Sequence, residues 1–401
     1  MISARARSPK PLAVLSASLD QALHRCLVLA SPFGTIRLLR ANEPDVREFF
    51  LELDESGPQR LRWTLRKSDA GTALFITRPP AVARLAGLAR RGSRVYAELD
   101  HVLTLLTHAV NMKIVVIGGG TGLYTTLLGL RDRTWSLTAV ISGLPRGVRA
   151  KQPKDQIGML PRDDAGLSLV ALAPTVQDNV VLRGLLAHRM EQRQWRGAHF
   201  GTAMLQSLEE TQGSRQAALD AAGQLLGIRG RIAIALESTT EAEGFSAAVS
   251  EIARADMVVI APGHLELDIL PVLCCPGIRG ALQRSTALKV LVTKIMTAEE
   301  ARDEATTSAQ VRALTLLTGR TFDVVVANSG SFSNRQLDRY AAAGARPITP
   351  DIAATQAQAR LLVVEPLAAA GDLARHDPER LGECLLEVGA QSLTRPVERA
   401  S

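Results

Sequence analysis

The chain is poor in aromatic residues: Phe, Trp and Tyr together make 3% of its 401 residues. The core must then be built from aliphatic side chains. A stacking platform for single-stranded nucleic acid is not expected, so no nucleic-acid partner is assigned. Cysteine is scarce as well. Cys26, Cys274, Cys275 and Cys384 make no CxxC pair, and two of them are adjacent. That usage excludes a disulfide scaffold and fits a reducing compartment. No apolar run reaches the length of a bilayer span, and no adequate apolar stretch follows the basic residues 1–10. The expectation is a cytoplasmic protein without a membrane partner.

Positive charge is in modest excess. The net charge is +7, and basic residues gather at ARRGSR (89–94) and RGVRAKQPK (146–154). Solubility accounts for such an excess, and an anionic ligand is the sharper reading. Hydrophobic content is 46% and charged content 22%, the balance of a globular protein with a substantial core.

Composition shifts near Asn111. Before it, TIRLLR, REFFLELD, RLRWTLRK and ALFITRPP are short apolar or alternating runs separated by turn residues, with CLVLAS ahead of them. They predict a small β-rich unit, followed by helix over VARLAGLARRG and RVYAELDHVLTLLTHAV. Residues 1–111 are therefore expected to form an α+β appendage, and a protein partner is its default role. From residue 112 to 401 the pattern changes. KIVVI (113–117), LTAVIS (137–142), RIAIALE (231–237), DMVVIAP (256–262), LKVLVTK (288–294), DVVVAN (323–328) and RLLVVE (360–365) are continuous apolar runs alternating with helical stretches. Such runs suit strands buried on both faces, and the alternation predicts a doubly wound, mostly parallel α/β sheet.

The first of these strands runs into GGGTG. Glycines allow a tight turn and a close approach, and a helix start presents unpaired N–H groups to an anion. Gly118, Gly119, Gly120, Thr121 and Gly122 are candidates for cradling a phosphate; a purely structural turn is the other reading. The pattern is neither GxGxxG, because Leu123 stands where the third glycine belongs, nor a P-loop. The second strand also ends in VISGLPRGVRA, without the acid that holds a ribose, which disfavours a simple NAD enzyme.

KIVVIGGGTGL, GMLPRDDAGLSLVAL, ADMVVIAPGHLELDILPVLCCPGI and RHDPERL follow one another as in the YvcK/CofD family, which the chain resembles over roughly residues 113–390. The likeness is closer to the YvcK branch, the gluconeogenesis factors. It implies a Rossmann-like domain that binds a nucleotide sugar such as UDP-N-acetylglucosamine and acts in cell shape and carbon metabolism. The CofD branch implies instead a metal-dependent 2-phospho-L-lactate transferase. Dimers in both branches make a homodimer the expectation.

The chain departs from the family where the ligand should lie. VADDGGSSG is replaced by ISGLPRGVR (141–149), so the aspartate pair is gone; Ser142 remains and Arg146 appears. PPGDIRNCL reads PRDDAGLSL, keeping Asp164; GHSLGN reads GAHFGT (197–202); and GSLYTS reads GHLELD (263–268). Without the aspartate pair a divalent cation is hard to hold, so Mg2+ is doubtful, no resident cofactor or metal ligand is assigned and catalytic residues stay unnamed. Arg146 could neutralise a diphosphate with bidentate geometry. A non-catalytic binder of a small anionic nucleotide-type ligand is the leading expectation, with a transferase and a ligand-free scaffold as alternatives.

Several residues carry two readings. Asp163 and Asp164 suit a metal or ribose contact, or the start of a helix over AGLSLVALA. His264, after Pro262 and Gly263, suits a phosphate contact or a base, or an ordinary surface loop. Glu266 and Asp268 extend it to an HxExD pattern that lacks a second ligand cluster. Asn328 suits a base or sugar contact, or a turn after a strand. His376 and Asp377 predict a helix start, with Asp377 as cap and Pro378 in the first position.

Overall fold

A computed structural model describes residues 35–39, 46–52, 60–68, 71–77, 111–143, 163–191, 197–235, 247–297, 306–342 and 344–392, the first four stretches as backbone alone. The chain divides into two compact units. The larger takes Lys113–Arg131 and Ser136–Cys384; the other takes the residues before Lys113 with Asp132–Trp135 and the chain from Leu385 onward.

In the smaller unit β1 (Thr35–Leu39), β2 (Val46–Glu52), β3 (Arg60–Ser68) and β4 (Gly71–Thr77) form an antiparallel meander in that order. Phe49 pairs with Trp63 and Leu65 with Leu74. CLVLAS and the two helices expected over 82–92 and 94–110 lie outside the described residues.

The larger unit holds a parallel sheet of seven strands: β5 (Lys113–Ile117), β6 (Ser136–Ser142), β7 (Arg231–Ala235), β8 (Met257–Ile260), β9 (Leu288–Val292), β10 (Val324–Asn328) and β11 (Leu361–Glu365). Their spatial order is β11-β10-β9-β8-β5-β6-β7. All seven fall on the apolar runs of the sequence: β5 spans KIVVI, β6 begins one residue before LTAVIS, and the others lie within their runs. Val116, Ile117, Val140, Ala233, Val259, Val290 and Val326 are at most 1% exposed. Strands covered on both faces must be apolar throughout, which is why they read as unbroken runs. The aliphatic core foreseen from the lack of aromatics is present: Val115, Ile117, Val140, Ile260, Leu291 and Val325 share one cluster with Leu273, Leu282 and Leu314.

Helices fill the connections. In chain order they are α1 (Gly120–Leu130), α2 (Asp164–Ala171), α3 (Val176–Leu186), α4 (Phe200–Gln212), α5 (Arg215–Leu225) and α6 (Ala247–Arg254). There follow α7 (Leu270–Leu273), α8 (Ile278–Arg284), α9 (Thr307–Thr318), α10 (Asn334–Ala341), α11 (Ile352–Gln356) and α12 (Pro378–Ser392). The start of α12 is as expected: Asp377 Oδ1 accepts the N–H groups of Glu379 (2.9 Å) and Arg380 (3.2 Å), with Pro378 in first position.

The order of strands locates the crevice. From β5 the chain moves outward through β6 and β7, then returns to place β8 on the other side of β5. At such a reversal the connections leave in opposite directions and open a cleft at the carboxyl ends of the two strands. Those ends carry Gly118–Gly122 and Pro262–His264.

Candidate functional site

The glycine loop is shaped by what stands against it. Gly118 has φ +151 and Gly120 φ +65, conformations that side chains disfavour. A Cβ on Gly122 would lie 1.5 Å from the Pro262 carbonyl oxygen, so no side chain fits there. A Cβ on Gly118 would come within 3.2 Å of the Ala261 Cβ. The start of α1 is thus pressed onto the chain leaving β8. Gly118 N–H donates to Val140 O (3.2 Å) and Ala261 N–H to Ile117 O (2.9 Å), which carry the sheet's hydrogen bonding to the edge of the cleft.

Four N–H groups at the start of a helix have no partner inside it; in α1 those of Gly120, Thr121 and Gly122 follow the N-cap residue Gly119. Gly120 N–H donates to Asp164 Oδ1 at 2.8 Å. Among the described residues no hydrogen bond takes the N–H of Thr121 or Gly122. The adjacent aspartates therefore divide their work. Asp163 caps its own helix, accepting from Gly166 N–H (2.6 Å), while Asp164, in the first turn of α2 and 8% exposed, reaches across to α1. Asn179 on α3 ties the same helices together: its Oδ1 accepts from the Tyr124 hydroxyl (3.3 Å), and its Nδ2 donates to Val170 O (2.6 Å).

Across the cleft, His264 N–H donates to Asp268 Oδ2 (2.8 Å). The Nδ1 of His264 is buried and meets no hydrogen-bond partner. Asp268 thus serves the turn of Leu265–Ile269, whereas Glu266 is exposed. Ser142 ends β6, next in the sheet to β5, and Gly143 N–H is held by Ala235 O (3.0 Å). Gly118 to Gly122, Ser142, Asp164, Gly263 and His264 are accordingly grouped around the β5/β8 reversal. Arg146 lies outside the described residues.

Asn328 stands apart. It ends β10, three strand positions from β5, or roughly 14 Å at the usual spacing. Its carboxamide is committed to backbone: Oδ1 accepts from Gly330 (2.9 Å), Leu367 (2.8 Å) and Ala368 (2.9 Å), and Nδ2 donates to Gly330 O (3.0 Å). In the sequence it could not be told from a residue facing a ligand, because both uses put an amide at a strand end.

One residue of the cleft escaped the sequence reading. Lys294, just beyond β9, lines a cavity of about 10 Å³ with Gly263, Leu265 and Gln310. Its N–H donates to Gln310 Oε1 (2.9 Å). The signal was available, since a lysine closes the run LKVLVTK at the ligand edge of the sheet.

A parallel sheet with a glycine-rich helix start at its strand-order reversal defines an open, Rossmann-like α/β protein. The chain belongs to the YvcK/CofD family: the model of the 2-phospho-L-lactate transferase CofD family matches residues 114–240 and 232–368. It is 27% identical over 345 residues to a Nostoc sp. protein named "Putative gluconeogenesis factor", covering 76% of this chain and 75% of that one. The "Gluconeogenesis factor" of Halalkalibacterium halodurans is 26% identical over 314 residues, covering 68% of this chain and 95% of that protein. In structure, the chain is similar to a UPF0052-family protein from Bacillus halodurans, with a TM-score of 0.60 and 24% identity over 69% of this chain and 99% of that one; this likeness speaks to the fold.

Proposed function

We propose that the chain is a binding protein of the YvcK branch that holds a nucleotide-diphosphate sugar of the UDP-N-acetylglucosamine kind at the β5/β8 reversal, and that it acts in cell shape or carbon metabolism without turning its ligand over. The carrying observation is the glycine loop. Gly122 is jammed against the Pro262 carbonyl, and the N–H groups of Thr121 and Gly122 are left uncommitted at a helix start. Backbone donors and the helix dipole there favour a phosphate group. The gluconeogenesis-factor names of the relatives support the branch. A transferase of the CofD kind is the second reading, favoured by the name of the family model. It needs a cation, and the aspartate pair usual in the YvcK branch after β6 is missing from this chain.

Calorimetric titration with UDP-N-acetylglucosamine, with and without Mg2+, tests the reading. Binding without metal is expected. Thr121→Glu is the informative variant. An acid in the first turn is expected to stabilise α1 by about 0.3–1 kcal/mol while repelling a diphosphate. Lost binding with an unchanged or raised melting temperature supports the cradle; equal binding by the variant sinks it. Binding that appears only with Mg2+ moves the assignment to the transferase.

A further inference from the structure

The two edges of the seven-stranded sheet are finished differently. In a strand the N–H and C=O of one residue point to the same side, and successive residues alternate. On β7, Ala235 O accepts from Gly143 N–H, so Ile232 and Ile234 face outward. That edge is occupied. The Gln216 carboxamide of α5 donates to Ile232 O (2.8 Å) and accepts from Ile234 N–H (2.9 Å), standing where a neighbouring strand would. On β11, Leu361 N–H donates to Asp323 O (3.0 Å) and Glu365 O accepts from Ser329 N–H (2.8 Å), so Leu361, Val363 and Glu365 face β10. Leu362 and Val364 face outward, and among the described residues no hydrogen bond takes their N–H or C=O groups. Leu361 to Val364 are half-buried, whereas the inner strands are buried. An apolar edge strand left open is a template for another strand.

We propose that β11 is an interaction edge at which a second copy of this chain adds its own β11 antiparallel, joining the two sheets across a twofold axis. A contact between identical edges closes after two copies only in this direction. One register uses every free group. With Val363 at the axis, Leu362 of each copy lies opposite Val364 of the other, and each such pair exchanges two hydrogen bonds. Centred on Leu362, Val364 would fall opposite Arg360, whose N–H is already given to Phe322 O (3.5 Å). Centred on Val364, Leu362 would fall opposite Pro366, which has no N–H. The charges agree with the direction. β11 is preceded by Arg360, whose side chain is 61% exposed, and ends on the exposed Glu365. Antiparallel pairing brings the Arg360 end of each strand beside the Glu365 end of the other, while parallel pairing would bring like charges together. Arg360 also lies 3.5 Å from Asp323 of its own chain, so this charge steers the strands more than it adds affinity. A strand of five residues makes a small interface, and the dimer is expected to come apart in the micromolar range.

Sedimentation of the full chain between about 1 µM and about 300 µM measures the association, with Val364→Pro and Glu365→Arg beside the native protein. Proline at 364 removes an N–H that faces away from β10, which an edge strand tolerates, and takes one hydrogen bond from each pair. It is expected to weaken the dimer by about tenfold or more. Glu365→Arg changes an exposed side chain, leaves the main chain intact and sets arginine beside arginine; it is expected to weaken the dimer by about threefold or more. Melting curves for each variant establish that the fold is kept, and if Val364→Pro does not fold, Glu365→Arg decides alone. A native chain that stays monomeric over the whole range overturns the proposal. So does a folded Val364→Pro that dimerises as the native chain does, since the copies would then meet elsewhere. Native affinity in Glu365→Arg overturns the antiparallel direction and the closed twofold with it. Weakening in both, at unchanged melting temperature, supports the edge and its direction.

Discussion

Two strand ends of the same sheet use similar residues to opposite effect. From the last residue of β10 the chain reads Asn-Ser-Gly, and after β5 Gly-Gly-Gly-Thr-Gly. At the β10 end one carboxamide receives three backbone N–H groups and returns a fourth bond, closing the chain over the strand. At the β5 end only one of the three donors is taken, while the packing is so tight that no Cβ is tolerated at Gly122. The β10 end is polar chemistry used up by the fold. The β5 end is a rigid scaffold with donors to spare. Presence of polar groups does not distinguish a site from a turn; how many remain unpaired does.

Gly122→Ala should break the contrast most severely. A Cβ 1.5 Å from a backbone oxygen cannot be absorbed by a rotamer change. We expect a loss above about 4 kcal/mol, in the exceptional range for one substitution, or no soluble protein. A variant that melts like the native chain would show that the loop is loosely packed after all.

Asn328→Ala tests the other end. Three N–H groups lose their acceptor, which should cost about 2–3 kcal/mol once some of them find water. Asn328→Asp keeps the acceptor and should cost less. Neither should alter the nucleotide-sugar binding proposed above once the protein is folded. Weaker binding without a change in melting would move Asn328 to the ligand side of the comparison.

His376 sharpens the picture of the β10/β11 end, since it pairs with Ala368 there and its buried Nε2 has no partner. Burial pushes its pKa down to about 4 from 6.5. The unfolded chain then binds the proton more readily than the folded one between these values. The neutral ring's contribution is present above pH 6.5 and is lost as the pH falls towards 4, by about 3 kcal/mol. Chemical denaturation from pH 7 to pH 4 would measure this. His376→Asn should lose this component of the pH dependence, and an undiminished slope would assign it to other groups.

Much of the fold was legible because burial on both faces leaves little choice of residue: KIVVI and LKVLVTK could hardly be anything but inner strands. Helices α3 and α4, and the short α7, α8 and α11, were not among the helical stretches read from the sequence. In α3 the reason is physical, since Val176, Val180, Val181 and Leu185 are 42–56% exposed while Asn179 is buried beside Leu182 and Leu186, which blurs the amphipathic pattern. At the candidate site, the glycine loop and His264 were singled out by their place after apolar runs, and the structure puts both at the β5/β8 reversal. The split between Asp163 and Asp164 was not visible, because which helix a carboxylate serves depends on a neighbour 44 residues away in the chain. Asn328 was indistinguishable from a ligand contact for the same reason.

The contact between Gly122 and Pro262 has a one-sided consequence for how the protein can drift over time. The wall that excludes a side chain at 122 is a main-chain carbonyl, which every amino acid possesses. Position 262 is therefore free to change identity so long as its backbone stays in place, whereas position 122 has no alternative. Across variants of this chain, tolerance at these two touching positions should be sharply unequal.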